Sequence, residues 1–412
     1  MQTIEQPSPL PPGADPAPVP AHVPASLVVD FDAYRPMKDA SFYHAPYAEL
    51  QANAPEIFWS PYNGGHWVLT RRDHLAEAFA DPARFTSSQG ASVDKVAAPG
   101  DPKLAPIELD PPEQQSFRRL FAPAFSVLAL KEREKEARAL AVELIEDLRP
   151  RGRCEFVTGF AQHLPIKIFM KMVDLPEEDR LTLLPLANAQ VAADAPKEEK
   201  LALLFEYAGK YVAERAARPG DDLISRIATA EIDGRPITLR EAVGVSTLLL
   251  IGGLDTVASM MGHVMHFLAG SPDHRRQLAE NPSLSGAAAE EFLRRFALTN
   301  PGRTVVADME FHGVTMRAGD KLLLATPFGA VDPRDYPDPL RVDFQRTSNS
   351  KTTFGAGPHV CPGSMLARIE LKILLEEWLP RIPDFQLDPD DPPRFRTGVN
   401  GSVERLPLTW TP

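Results

Sequence analysis

Cys361 stands in the segment Phe354-Gly-Ala-Gly-Pro-His-Val-Cys361-Pro-Gly363, a Gly/Pro-rich turn with an amphipathic stretch directly after it. Such a turn can present a thiolate to a metal while several backbone N–H groups point at the sulfur. A helix starting near Pro362 or Gly363 adds the positive end of its dipole and favours the anion. The chemistry this suggests is haem iron held by one axial thiolate, which pushes electron density forward and favours O–O cleavage. A lone cysteine can equally be a buried, inert loop residue.

A second constellation is Leu248-Leu-Leu-Ile-Gly252-Gly253-Leu-Asp255-Thr256. Adjacent glycines inside a long apolar helical pattern each cost about 1 kcal/mol against alanine. A locally opened helix would free backbone carbonyls, and the missing side chains make room for a small ligand. Asp255 and Thr256 are then placed to relay protons toward it. The plainer reading is a glycine kink whose polar residues satisfy the broken hydrogen-bond ladder. A third constellation is Glu290-Glu291-Phe-Leu-Arg294-Arg295, in which Glu291 and Arg294 share one helical face as an i,i+3 pair. On most proteins such a pair is surface decoration.

Together these patterns resemble those of the cytochrome P-450 family, the haem-thiolate monooxygenases. Phe354, Gly357, Cys361 and Gly363 match the family's ligand loop. Gly252-Gly253-x-Asp255-Thr256 matches its oxygen-activation motif, and Glu291-x-x-Arg294 its structural pair. Gly357 is expected to need φ > 0, Gly363 to let the helix start pack close to the porphyrin, and Phe354 to shield the sulfur. The resemblance implies haem b, with its propionates met by Arg118, Gln114, Arg303 and His359. Many relatives carry a His where this chain has Gln114.

Phrases such as Asp110-Pro-Pro-Glu-Gln and Glu377-Trp-Leu-Pro-Arg-Ile-Pro-Asp-Phe are similar to the camphor-hydroxylating bacterial branch of that family. The likeness covers everything except the Pro-rich start. It implies a mainly α protein with small β-sheets, a triangular, helix-rich single domain with a long central helix over the haem. It also implies insertion of one oxygen atom from O2 into a C–H bond. Electrons would come from NADH through a ferredoxin reductase and a 2Fe-2S ferredoxin, docked near Arg118, Arg119, Arg368 and Lys372. Relatives of that branch place a tyrosine before Asp-Pro-Pro-Glu to hydrogen-bond a ketone. Here Pro102 falls at about that place, Ala91 replaces an aromatic wall residue, and Thr299 and Pro301 stand for a valine and an aspartate. Removing the donor removes the preference for a ketone. The expected pocket is wide and apolar, lined by Leu104, Leu248, Ile251, Thr299, Val399 and Asn400. The expected substrate is a small terpenoid or ionone-like norisoprenoid rather than camphor. Two alternatives are a peroxide-driven haem-thiolate peroxygenase, against which Asp255-Thr256 argues, and a haem-binding sensor or carrier, for which no output segment is readable.

The elements that must position these residues are mostly helical. Apolar periodicity predicts helices over Arg72 to Ala80, Pro112 to Phe125, Val127 to Leu148, Pro165 to Val173 and Glu198 to Ala217. A long one is predicted over Thr238 to Ala269, followed by Pro272 to Ala279 and Leu284 to Phe296. A β-hairpin is expected over Ile57 to Leu69 with its turn at Asn63-Gly64, and strand pieces near Thr304 to Phe311, Lys321 to Leu324 and Arg405 to Trp410. The 412 residues carry a net charge of −12, which argues against a nucleic-acid binder. Two cysteines, Cys154 and Cys361, argue against a disulfide framework and for a reducing, cytoplasmic setting. No run of ~18 apolar residues is readable as a membrane span. Residues 1–26 hold eight prolines and no basic or apolar leader pattern, and read as a mobile arm ahead of one domain over 27–412.

Overall fold

The structure is a computed structural model that describes residues 16–35, 44–95, 100, 102–192, 195–347 and 352–412. Helices carry most of it. The predicted helices over Arg72–Ala80 and Val127–Leu148 form with those bounds, and Leu164–Val173, Lys197–Ala217, Pro272–Glu280 and Ser285–Arg295 lie within a residue or so of expectation. The stretch predicted over Pro112 to Phe125 is shorter, an α-helix Glu113–Arg118 running into a 3-10 turn Arg119–Phe121. Helices Ala45–Asn53, Arg180–Val191 and Leu223–Ala228 were not expected. Arg180–Val191 carries Pro185 inside it, a residue that normally argues for a helix end.

The central helix starts at a capping box. Thr238 Oγ1 accepts from the Glu241 N–H, and Glu241 accepts in return from the Thr238 N–H at 2.8 Å. Arg235 holds the Glu241 carboxyl down at about 2, so the box keeps its charge. The helix runs as Leu239–Leu254, breaks at Asp255 (φ −121°, ψ −43°), and resumes as Thr256–Ala269. Leu239–Ala269 is, among the described residues, the one stretch long and apolar enough to cross a membrane. The sequence reading missed this because polar residues interrupt the run. Most of it is buried, with Val245, Leu250, Met261, Val264 and Leu268 in the core.

The hairpin pairs Ile57–Ser60 with His66–Leu69, and Asn63 and Gly64 take the positive φ that its turn requires. His66–Leu69 continues into a five-stranded sheet through Lys321–Leu323, Gly302–Val305 and Phe85–Thr86. A second sheet joins Phe385–Leu387, Pro407–Trp410 and Arg153–Glu155 near the C-terminus. Residues 1–15 lie outside the described residues, but 16–26 are not free as an arm would be. The Ala17 N–H donates to the Pro61 carbonyl at 2.7 Å, His22 meets Asp320 at 2.8 Å, and Val23 is buried. Proline removes donors without removing packing surface, so a Pro-rich strand can still be fastened.

Candidate functional site

Helix Ser364–Arg381 begins three residues after Cys361, with Gly363 as its N-cap. The loop ahead of it is closed by the Cys361 N–H, which donates to the Phe354 carbonyl at 3.0 Å. Gly357 has φ +66°, and a Cβ there would meet Ala80 Cα at 2.7 Å and Phe79 O at 2.8 Å. It therefore needs glycine twice, for its backbone and for the close approach of helix Arg72–Ala80. The Gly363 and Ser364 N–H groups point at the Cys361 sulfur, and Arg118 and Arg368 add positive potential. Burial outweighs all four, so the thiol is raised above its ordinary value. The Arg368 guanidinium lies over the Phe354 ring at 4.7 Å and pairs with Glu290.

Cys361 opens onto a cavity of about 800 Å3. Its walls include all six predicted pocket residues, Leu104, Leu248, Ile251, Thr299, Val399 and Asn400. Ala91, Pro102 and Pro301, the positions that differ from the camphor-hydroxylating pattern, also line it. From the central helix come Gly252, Gly253 and Thr256. The two glycines serve different ends. A Cβ on Gly252 would meet nothing within 4 Å, whereas one on Gly253 would sit 2.5 Å from the Phe169 ring. Gly252 is the open side of the break, and Gly253 admits an aromatic wall. Thr256 Oγ1 donates to the Gly252 carbonyl at 3.1 Å, so the freed carbonyl is capped from one turn on.

Asp255 is buried but does not line the cavity, and Arg396 Nη2 reaches its two oxygens at 3.2 and 3.3 Å. Arg396 lies 141 residues away in sequence, and no local pattern announces it. Phe169, Met172 and Glu370 also line the cavity unannounced, since in sequence they read as ordinary helix residues.

A cationic cluster sits beside the Cys loop. Arg303 is fully buried and pushed down to about 10 by desolvation, against which the Asp110 charge acts. His359 is pushed down to about 4, first by burial and then by Arg303 and Arg118. Arg118 is half-buried, and among the described residues no hydrogen bond or ion pair to it is found. Gln114 Nε2 donates to the Pro358 carbonyl at 2.7 Å and ties its helix to the loop. Among the described residues no group of three or more His, Cys, Asp or Glu side chains could hold a metal. The donor set is thus one sulfur in a cavity with surplus positive charge at its edge. That fits a planar cofactor which brings its own metal ligands and carries carboxylates.

Glu291 and Arg294 are both almost fully buried and joined at 2.8 Å through two N–H···O contacts. Arg294 donates further to the Ala330 and Pro339 carbonyls, and Glu291 accepts from the Asp343 N–H. The pair therefore clamps helix Ser285–Arg295 to the segment 330–346 ahead of the Cys loop, and is far from surface decoration.

Comparison with known proteins decides the family. The cytochrome P-450 family profile matches residues 284–403. A Sinorhizobium fredii protein named "Probable cytochrome P-450 127A1" is 32% identical over 95% of this chain and 97% of its own length. The chain belongs to the cytochrome P-450 family. The solved structures of CYP101J2 and CYP101C1 overlay with TM-scores of 0.87 and 0.84, at 39% and 38% identity. Each covers 96% of this chain and 100% of the neighbour. A Pseudomonas putida linalool 8-monooxygenase is 29% identical over 90% of the chain. The protein is a monooxygenase of the mainly helical P-450 fold, and proteins of this family bind haem b through a thiolate.

Proposed function

We propose that Cys361 is the axial ligand and that the cavity takes a small apolar terpenoid or norisoprenoid of the ionone type. The observation that carries the substrate reading is the cavity wall. Ala91, Pro102 and Leu104 occupy the loop that supplies a ketone donor in camphor hydroxylases, and none of the three offers a side-chain donor. The relative named for linalool, a terpenoid alcohol, supports the same chemical class. Gly357, Gly363 and Phe354 shape the loop around the sulfur, while Arg118, Arg303 and His359 would hold the haem propionates. When bound, haem supplies the site that activates O2 for transfer of one oxygen atom to carbon. A metal bound there would keep the Cys361 sulfur as thiolate against the burial that raises it.

The chain's own residues do the rest. Leu248, Ile251 and Val399 exclude water and orient the substrate, and Thr299 and Asn400 add polar atoms to the wall, as do Ser92 and Gln190. Thr256 passes a proton from its hydroxyl into the cavity, and Asp255 resupplies it. Electrons arrive from NADH through a reductase and a 2Fe-2S ferredoxin, in the cytoplasm. Arg119, two-thirds exposed, and Lys372 are the cations best placed to meet an acidic partner. Arg118 and Arg368 instead turn their charge toward the sulfur. Two measurements test the reading. The reduced protein with carbon monoxide should show the Soret position diagnostic of thiolate ligation. A terpenoid panel should convert the ferric iron from low to high spin. A thiolate spectrum with no response to any terpenoid would overturn the substrate class and leave the ligand intact.

A further inference from the structure

The placement of Asp255 ties the proton supply to the wall of the substrate cavity. Its carboxylate is held by Arg396, whose Nη2 also donates to Ser402 Oγ at 2.8 Å, while Nη1 lies 3.7 Å from Glu404. The Asp255 and Arg396 side chains are 7% and 12% exposed, so solvent screens the pair little. Among the described residues Arg396 Nε is buried without a hydrogen-bond partner, which leaves the guanidinium held through its Nη atoms.

Arg396 ends the strand Arg394–Arg396, and residues 397–401 turn the chain into Ser402–Arg405. Val399 and Asn400 of that turn line the cavity. The turn is anchored around them. Thr397 Oγ1 donates to the Tyr34 carbonyl at 2.8 Å, Asn300 Nδ2 to the Gly398 carbonyl at 2.9 Å, and the Asn300 N–H to the Val399 carbonyl at 2.7 Å. A molecule pressed against Val399 therefore bears on a short, braced segment whose near end is the guanidinium on Asp255.

We propose that Arg396 is a positioning residue that makes proton supply depend on substrate fit. This rests on the reading of Asp255 and Thr256 as the proton supply. A substrate that fills the cavity against Val399 and Asn400 shifts the strand end and weakens the Arg396–Asp255 pair. Asp255 then turns toward Thr256. A carboxylate parted from its arginine in a buried setting takes up a proton from solvent. That proton moves to Thr256 Oγ as Thr256 releases its own into the cavity, so the hydroxyl is restored and Asp255 returns to the carboxylate that Arg396 can hold again. A poorly fitting molecule leaves the acid locked and the cavity open to water, and O2 that has taken two electrons from NADH takes two protons from that water and leaves as hydrogen peroxide.

The test compares wild type, Arg396→Gln, Asp255→Asn and the double variant as holoenzymes, with β-ionone, linalool and camphor as probes. Peroxide formed per NADH is measured for each probe, and hydrogen exchange of amides 253–259 is followed with and without the probe. In wild type, peroxide should differ several-fold between probes, and exchange should rise with the probe that couples best. In Arg396→Gln the spread between probes should collapse, exchange should be high with or without probe, and Asp255→Asn should mask the effect of Arg396→Gln in the double variant. Should Arg396→Gln fail to fold, Arg396→Lys keeps the charge without the planar fork and should lose part of the spread. A merely structural role would lower thermal stability and leave the probe dependence in place. If Asp255→Asn uncouples while Arg396→Gln keeps wild-type spread and exchange, the proposal is overturned alone. If Asp255→Asn couples normally, the proton-supply reading itself falls, and this proposal with it.

Discussion

The two sides of the cavity are built by different means. On the Cys361 side, position is set by backbone: two N–H groups on the sulfur, a left-handed glycine against helix Arg72–Ala80, and a helix start directly behind. The clamp that carries this side, Glu291 with Arg294, is buried and bonded at both ends. On the opposite side, position is set by side chains reaching from afar, such as Arg396 onto Asp255 and Phe169 onto Gly253. Backbone geometry tolerates few sequences, whereas long side-chain contacts can be exchanged one at a time. On the function proposed above, the first side would set what reaction is run, and the second on what.

The sharpest way to break this contrast is at the sulfur. Cys361→Ser should abolish the thiolate-type carbon monoxide spectrum and all monooxygenation, whatever substrate is offered. Arg294→Ala takes the two-pronged partner from the buried Glu291 carboxylate and leaves it, among the described residues, Arg346 Nε at 3.3 Å and the Asp343 N–H. It should cost about 3–5 kcal/mol of stability, read from denaturant unfolding or as loss of folded protein on expression.

Changes on the opposite side should leave the spectrum alone. Thr256→Ala should keep the carbon monoxide spectrum and divert NADH electrons into peroxide; full coupling without excess peroxide would remove the relay role. Val399→Ala removes two methyl groups from the wall, about 0.8 kcal/mol each. It should weaken terpenoid binding by roughly tenfold in a spin-state titration.

The smallest effect concerns pH. Glu370, on the helix that follows Cys361, is buried, has neither carboxylate oxygen partnered, and is pushed up to about 8 by burial. The fold keeps a proton that the unfolded chain releases above its ordinary 4.5. Its contribution is therefore complete below that value and is lost as pH rises toward about 8. Glu370→Gln should flatten the alkaline decline in melting temperature by a few degrees. The acid limb should persist, because His66 and His263 are held neutral by burial at about 4. Unfolded histidines take up protons below about 6.5, so stability falls from there toward about pH 4.

The same contrast explains what could be read from the sequence. Phe354, Gly357, Cys361, Gly363, Gly252, Gly253, Glu291 and Arg294 lie within short motifs whose spacing is the geometry, and the fold follows from strong helical periodicity. The six pocket residues were legible as positions along a family pattern. Arg396 was not, because an ion pair spanning 141 residues leaves no mark on either neighbourhood. Gln114 was assigned to a propionate by position, and only the fold reveals the Pro358 carbonyl that takes its amide. The Pro-rich start read as mobile because composition records missing donors, and records nothing of the docking site beside Pro61 and Asp320.

The apolar central helix has a consequence outside the folded state. Leu239–Ala269 is as greasy as a membrane anchor, yet its neighbours in the core come from as far along the chain as Val403 and Phe395. A chain emerging from the ribosome must carry that segment uncovered until residues as late as Phe395 and Val403 are made. Refolding from denaturant should accordingly be limited by aggregation, with yield falling steeply as protein concentration rises.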